Sequence, residues 1–393
     1  MTRKSFDFVV IGAGCFGAWT AHELRRAGHE VLLVDATGAA HARASSGGES
    51  RVIRMGYGAD ELYTRWSMRS LDAWKALAAR SGRALFHEAG MLWLVGAGGD
   101  YVETTRQTLA RVGVDHERLS VDELARRFPQ ISTAGIEWAL VEPGSGALMA
   151  RQAVQALVAE SVLAGLALDT AAIVSPESAV AAAALGGRLR HIEIMAGEKI
   201  VADRFVFACG AWLPKVFPSL LGARIFPTRQ EIFFFAPPAG VTAFSAPTMP
   251  CWFHHPALVY GIPDLEHRGF KISIDRHGPA IDPDREDRVP SPAALAEARA
   301  YLATRFPQLA DAPLVESRVC QYENTSNGDF IIDRHPEFDN VFIAGGGSGH
   351  GFKHGPAVGE YAARLATGAM NAEHAEARFA LATKTEAQRR GVY

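Results

Sequence analysis

Phe6-Asp7-Phe8-Val9-Val10-Ile11-Gly12-Ala13-Gly14-Cys15-Phe16-Gly17 decides how this chain begins to fold. A short apolar run of this kind reads as a strand buried on both faces. It enters a turn whose three glycines leave no Cβ in the way. Ala18 to Ala27 then reads as a helix, with Gly28 at its C-terminal end. Glu30 to Val34 is a second strand, tipped by Asp35. Such a turn lets backbone N–H groups and a helix N-terminus meet a phosphate, and an acid about 20 residues further on can accept hydrogen bonds from ribose hydroxyls. The plainer alternative for Asp35 is a solvated strand end.

A second glycine turn lies near the other end. Gly345-Gly346-Gly347-Ser348-Gly349-His350-Gly351 follows the apolar run Val341 to Ala344 and continues into Phe352-Lys353. One such loop is a weak signal. Two, separated by most of the chain, suggest a long dinucleotide whose sheet is closed by the C-terminal segment, which favours FAD over NAD.

Between the turns the texture changes twice. Ser45-Ser46-Gly47-Gly48-Glu49-Ser50-Arg51-Val52-Ile53-Arg54 is a polar loop running into an apolar pair, with two arginines three apart. The spacing predicts an amphipathic helix over Asp60 to Ala79, a strand over Met91 to Val95, and a helix over Leu119 to Phe128, capped by Ser120 and stopped by Pro129. It predicts further helices over Arg151 to Ala164 and Ser291 to Phe306, and a loop or short helix in the alanines at 180–185. Phe205 to Trp212 reads as a buried strand rejoining the nucleotide sheet. Glu231 to Phe235, Leu258 to Ile262 and Phe270 to Ile274, broken by proline and glycine, read as a separate antiparallel sheet. Phe330 to Ile332 and Val341 to Ile343 return to the first domain. The expected fold is α/β: an FAD-binding Rossmann-type domain of residues 1–85, 141–218 and 322–393, interleaved with an α+β substrate domain of residues 86–140 and 219–321.

The 393 residues are typical of two domains, and 48% apolar with 21% charged residues is the balance of a soluble globular protein. A net charge of −3 with no basic tract gives nothing to attract nucleic acid or an anionic membrane. The sequence has no apolar signal core, no run long enough to span a bilayer and, in Arg390-Gly391-Val392-Tyr393, no peroxisomal address. Cys15, Cys209, Cys251 and Cys320 have no paired spacing, which fits a reducing cytoplasm. His254, His255 and His277 have no metal-ligand spacing, so no metal is expected.

Taken in order, the motifs resemble the monomeric sarcosine oxidase family of flavoenzymes, within the D-amino-acid oxidase-like superfamily, over nearly the full length. The carriers are the first glycine turn with Asp35, the stretch Gly48 to Arg54, Tyr260-Gly-Ile-Pro followed by Lys271, Ile281-Asp-Pro-Asp, Cys320-Gln-Tyr322, Asp329 to Asp333, and Gly349-His-Gly-Phe-Lys353. The resemblance implies covalent FAD, joined through sulfur to Cys320 at the 8α-methyl. A thiolate is a good nucleophile, so the chemistry is compatible; a buried structural cysteine is the alternative. It implies that Lys271 lies over the flavin and assists reaction with O2, a fixed charge stabilising superoxide; the alternative is a lysine on the wet face of an edge strand. Arg54 and Lys353 match the family's carboxylate-binding pair. Arg51 is expected near the flavin ring or its phosphates, and Tyr260 and Tyr322 as walls of the substrate cavity or as core. The expected cofactor contacts are Gly12, Gly14, Cys15, Phe16, Gly17, Asp35, Ser45, Ser46, Arg51, Val174, Gly210, Trp212, Cys320, Gly347, Gly349, His350, Gly351, Phe352 and Lys353.

Two positions depart from the family pattern. Gly47 and Asp275 stand where relatives acting on sarcosine have histidine. Glycine is expected to open space; the Asp275 carboxylate could pair with a substrate cation, with Arg276 or with Lys271. The implied activity is oxidation of a secondary or N-methyl amino acid to its imine, with O2 as acceptor and H2O2 as product, by a monomer. The same fold using a non-oxygen acceptor is the near alternative. A flavin-binding protein without turnover, or a subunit acting on modified RNA, is opposed by the converging Arg54 and Lys353 and by the lack of basic patches.

Overall fold

The structure is a computed structural model, in which residues 5–177, 187–255, 257–370 and 375–387 are described. The alanine run at 180–185 and residues 390–393 lie outside the described residues.

Along the chain come β1 (Phe6–Ile11), the helix Cys15–Arg26, β2 (Val31–Asp35), β3 (Ser50–Ile53) and the long helix Glu61–Ser81. β4 (Phe86–His87), β5 (Met91–Val95), the helix Asp100–Val112, β6 (Glu117–Ser120), the helix Val121–Arg127, β7 (Trp138–Glu142) and β8 (Gly146–Met149) follow. Next are the helix Ala150–Leu163, β9 (Ala167–Thr170), β10 (His191–Glu193), β11 (Lys199–Phe207), β12 (Ile225–Phe235), β13 (Cys251–His255), β14 (Val259–Ile262) and β15 (Phe270–Ile274). The helix Pro292–Arg305, β16 (Leu314–Thr325), β17 (Ile331–Arg334), β18 (Val341–Gly345) and the helix Gly355–Thr367 complete the main elements.

The strands form three sheets in an α/β fold. The first runs β17-β18-β11-β1-β2-β9, with β10 on β11. β11 pairs parallel to β1, Val10 beside Val206, and β18 pairs parallel to β11. The predicted return of both late segments to the nucleotide sheet is therefore correct. The second sheet runs β16-β12-β15-β14-β13-β5-β7-β6. It is not purely antiparallel as expected, because β13 pairs parallel to β5. It is also wider, recruiting strands from 91–142 and the long β16, which continues past residue 322 to Thr325. The third sheet, β3-β8-β4, carries Arg51 and leads directly into Arg54.

Local signals explain the helix ends. Ser120 and Glu123 form a reciprocal capping box. Asp60 accepts from the backbone N–H of Tyr63, and Ser291 from that of Ala294. The helices that follow the two glycine turns pack directly against each other. A Cβ on Gly359 would lie 2.5 Å from the Trp19 Cβ, so glycine there permits the close approach. Cys15 Sγ donates to Phe352 O at 3.3 Å across the same seam. This packing brings the two turns, which begin at Gly12 and Gly345, to one place, and Trp74, fully buried and stacked on Phe352, backs it.

Candidate functional site

The first turn is built for close backbone approach. Gly12 has φ of +105°, and a Cβ there would lie 2.4 Å from Ala208 O. A Cβ on Gly17 would collide with Gly12 O, so Gly17 serves the turn's packing. Gly14 caps the following helix without any side-chain hydrogen bond, leaving its first N–H groups to meet an anion. Asp35 shapes the turn: Oδ2 accepts from Ala13 N at 2.8 Å, and Oδ1 from Thr37 N and Gly38 N at 2.9 Å each. It is thus a structured strand tip rather than a solvated one.

A cavity of about 550 Å3 opens along this turn. Gly12, Gly14, Cys15, Phe16 and Asp35 line one end; Ser45, Ser46 and Arg51 line its flank. Gly210 and Trp212 line another wall, with Gly347, Gly349, Gly351 and Phe352 from the second turn. Trp212 Nε1 donates to Asp284 Oδ1 at 2.7 Å, and Lys215 reaches Asp282 and Asp284, so the 281–284 motif braces this rim. Val174 does not line the cavity; its neighbours Ile173 and Ser175 do, while its N–H donates to Glu193 O.

In the second turn Gly346 and Gly349 have φ of +69° and +79°. A Cβ on Gly349 would come 2.7 Å from the Tyr322 ring, and one on Gly351 2.8 Å from the Phe16 ring. A glycine-lined cavity of this size, beside a strand-end acid and an uncapped helix, is what a dinucleotide requires, so the residues present fit FAD.

β16 carries the chemistry from this cavity into a second one. Cys320 and Tyr322 share one face of the strand, opposite Gln230 and Thr228 of β12. Both line a smaller cavity of about 90 Å3, with Arg54, Tyr260, Asp275, His350 and Lys353. Arg51, Tyr322, Gly349 and Phe352 line both cavities and form their common wall. Arg51 Nη2 lies 3.5 Å from Cys320 Sγ and 2.5 Å from Ser45 O.

The two cations expected to bind a carboxylate are together. Arg54 donates to Gly56 O, and its guanidinium stacks 4.7 Å from the rings of both Tyr57 and Trp93. Lys353 Nζ donates to Tyr57 Oη at 2.7 Å and His350 O at 3.1 Å. Burial first, then the Arg54 charge, holds the Lys353 ammonium well below the ordinary lysine range. Tyr57 Oη also lies 2.8 Å from His354 Nε2 and 3.3 Å from His350 Nδ1. Burial, then Lys353, pushes both histidines well down, so they stay neutral in this network.

Lys271 takes a different position from the other cations. It lies on β15, between β12 and β14, and is 1% exposed, so the wet-face alternative is excluded. Its Nζ donates to Ser50 O at 2.9 Å, and it lines neither of the two cavities. Desolvation, then Arg51, lowers its pKa to about 7.

Asp275 Oδ1 accepts from Tyr322 Oη at 3.0 Å, while Arg276 pairs with Glu297. Gly47 corrects an expectation: it opens no space, because a Cβ there would lie 1.9 Å from His41 O, where the backbone of the preceding loop already sits. His254 bonds Tyr301 Oη and His255 stacks on Tyr101, both away from the two cavities. Among the described residues no cluster could hold a metal ion, and no helix is long and apolar enough to cross a membrane.

Sequence reasoning missed two residues. Tyr57 is the hub under Lys353, and its place three residues after Arg54 was the available signal. Glu323 lines the large cavity; Ser45 Oγ donates to it at 2.7 Å, and burial raises its pKa. Its position next to Tyr322 was the only hint.

Comparison with known proteins agrees with this geometry. Monomeric sarcosine oxidase from Bacillus sp. (strain NS-129) is 31% identical over 374 residues, spanning 92% of this chain and 93% of the relative. Human peroxisomal sarcosine oxidase is 29% identical over 91% of each chain. N-methyl-L-tryptophan oxidase from Yersinia pestis (strain Pestoides F) is 26% identical over 92% and 95%. Among solved structures, L-proline dehydrogenase from P. horikoshii superposes with a TM-score of 0.80 at 22% identity, covering 95% and 96% of the two chains, which speaks to the fold. The family model described as FAD dependent oxidoreductase matches residues 7–365. The glycine cradle, the paired cavities and these matches together place the chain in the family of FAD-dependent oxidoreductases.

Proposed function

We propose that this chain oxidises the C–N bond of a small secondary or N-methyl amino acid, with O2 as acceptor. The observation that carries the reading is the convergence of Arg54 and Lys353 in a cavity that shares a wall with the dinucleotide site. Bound FAD supplies the hydride acceptor and passes the electrons on to O2.

The chain's own residues do the rest. The first turn and Asp35 hold the ADP half, and the second turn holds the flavin half. Cys320, beside Arg51, is the attachment point for a covalent flavin. Arg54 offers a planar fork and Lys353 a point charge to the substrate carboxylate. That grip, between the rings of Tyr260 and Tyr322, turns the substrate's α-carbon toward the common wall. A volume of about 90 Å3 suits a compact amino acid better than a glycated amine. Lys271, fixed through Ser50 on the strand that carries Arg51, supplies the positive charge that aids oxygen reduction. The sheet containing β16 and β12 forms the substrate side and the sheet around β1 the cofactor side. We place the protein in a reducing cytoplasm as a monomer, in keeping with four free cysteines.

A peroxide assay across N-methylglycine, cyclic imino acids, D-amino acids and glycated amines tests the reading. Peroxide from the small N-methyl or cyclic acids is the expected result. Turnover of glycated amines alone would overturn the size argument. The likeness to a proline dehydrogenase fold keeps a second reading in view, in which the acceptor is not O2. Stopped-flow reoxidation of the reduced enzyme by air decides between the two: fast recovery of the oxidised spectrum means oxidase, sluggish recovery dehydrogenase.

A further inference from the structure

The smaller cavity carries three basic side chains, Arg51, Arg54 and Lys353, and these alone would favour plain carboxylic acids over amino acids. An amino acid brings a positive nitrogen as well as a carboxylate, and the two guanidiniums, joined by Lys353 when it is protonated, repel that nitrogen. Asp275 is the acid that lines the same cavity. It follows β15, and its backbone N–H donates to Leu258 O at 2.6 Å, which fixes where the side chain starts. The Tyr322 hydroxyl, itself on the common wall, donates to Oδ1 at 3.0 Å and orients the carboxylate. The rings of Tyr260, Tyr322 and Phe253 line the space around it. Aromatic faces next to a carboxylate are a receptor for an alkylated cation. The carboxylate's field reaches across the cavity, since Asp275 opposes the lowering of the Lys353 ammonium.

We propose that Asp275, oriented by Tyr322, is the amine-end specificity determinant of this cavity, selecting small acids with a cationic alkylated centre over uncharged acids of the same shape. The inference rests on the reading that Arg54 and Lys353 hold the carboxylate end. It gives the substrate two anchored ends of opposite charge and makes the preferred class compact zwitterions. Oxidation needs the neutral amine, so the captured ammonium releases its proton to water before the hydride leaves.

Two non-reacting probes isolate the charge. Dimethylsulfonioacetate and 3-methylbutanoate differ by S+ in place of CH, and neither has an amine to oxidise. Each is titrated into the oxidised holoenzyme and followed by the flavin absorption spectrum. The wild-type enzyme should bind the sulfonium about tenfold more tightly than its neutral partner. Asp275→Asn should bring that ratio to one or below, and Asp275→Glu should largely restore the preference for the sulfonium. If Asp275→Asn does not hold flavin, Asp275→His is read the same way. An unchanged ratio in the neutral variant, or no wild-type preference for the sulfonium, overturns the proposal. Arg54→Ala should weaken both probes alike. Unchanged binding of both in Arg54→Ala would instead overturn the carboxylate assignment, leaving the Asp275 ratio standing as a separate result.

Discussion

Lys271 and Arg54 show how differently two buried cations are kept. Arg54 rests between aromatic faces and donates to a backbone carbonyl, so its charge is solvated by the protein. In the proposed carboxylate-binding role, removing it leaves the substrate carboxylate with Lys353 only. Arg54→Ala should lower kcat/KM about 10- to 100-fold, the range for losing a hydrogen bond between charged groups, mostly through KM. Lys271 has one carbonyl within hydrogen-bond reach and only the more distant Phe234 and Tyr260 rings, at 6.0 and 5.8 Å, and burial lowers its pKa to about 7. The ammonium is present below that value and lost above it. In the proposed oxidase role, the rate of reoxidation by O2 should therefore fall as pH rises through about 7. Lys271→Met should reoxidise slowly, by about 100-fold or more, and without that pH dependence. A pH-independent wild-type rate would remove Lys271 from the oxygen step. The folded protein binds fewer protons here than the unfolded chain between pH 7 and the ordinary lysine range, so this group's contribution to stability rises with pH over that window. The sequence placed Lys271 in an apolar strand but could not show which carbonyl it meets, because Ser50 lies 221 residues away. The role of Tyr57 was hidden for the same reason, its spacing from Arg54 aside: its partners Lys353, His350 and His354 are distant in sequence.

Elements were easier to read than their neighbours. The helix starts at Asp60, Ser120 and Ser291 follow from capping chemistry that is local by nature. The two glycine turns were equally visible, since Gly12, Gly346 and Gly349 combine a positive φ with contacts too close for a Cβ. Gly349→Ala would set a methyl 2.7 Å from the Tyr322 ring at φ of +79°. We expect that variant to fold but to bind flavin poorly, measured as the ratio of visible to protein absorbance. The mixed pairing of the large sheet was not legible. Cys251–His255 was not among the expected strands, and its parallel neighbour 160 residues upstream leaves no trace in the local pattern. Gly47 failed for a related reason, because the space beside a glycine depends on a backbone path that composition does not encode.

On the scale of the whole molecule, separate stretches are tied by a few charged knots. Arg378 forks onto Asp60, the cap of the long helix, and onto Asp329 ahead of β17, with bonds of 2.6 to 3.0 Å. Tyr63 Oη donates to the same Asp329 at 2.9 Å. Arg378→Ala leaves a buried carboxylate without its cation and should cost about 3 kcal/mol, read from the urea midpoint of the holoenzyme. Cofactor attachment is tested on the whole protein too. After acid precipitation the yellow colour should stay in the pellet, and Cys320→Ala should release it to the supernatant.

β16 gives the proposed attachment a second meaning. Its pairing with β12 sets Cys320 opposite Gln230 and Tyr322 opposite Thr228. A slip of one residue would present Gln321 where the thiol belongs and turn Tyr322 away from the cavity. A misaligned chain could not acquire its prosthetic group by this route. In a preparation of this protein, colour that survives denaturation would therefore be a historical record: each yellow molecule must once have closed this ladder in its correct alignment.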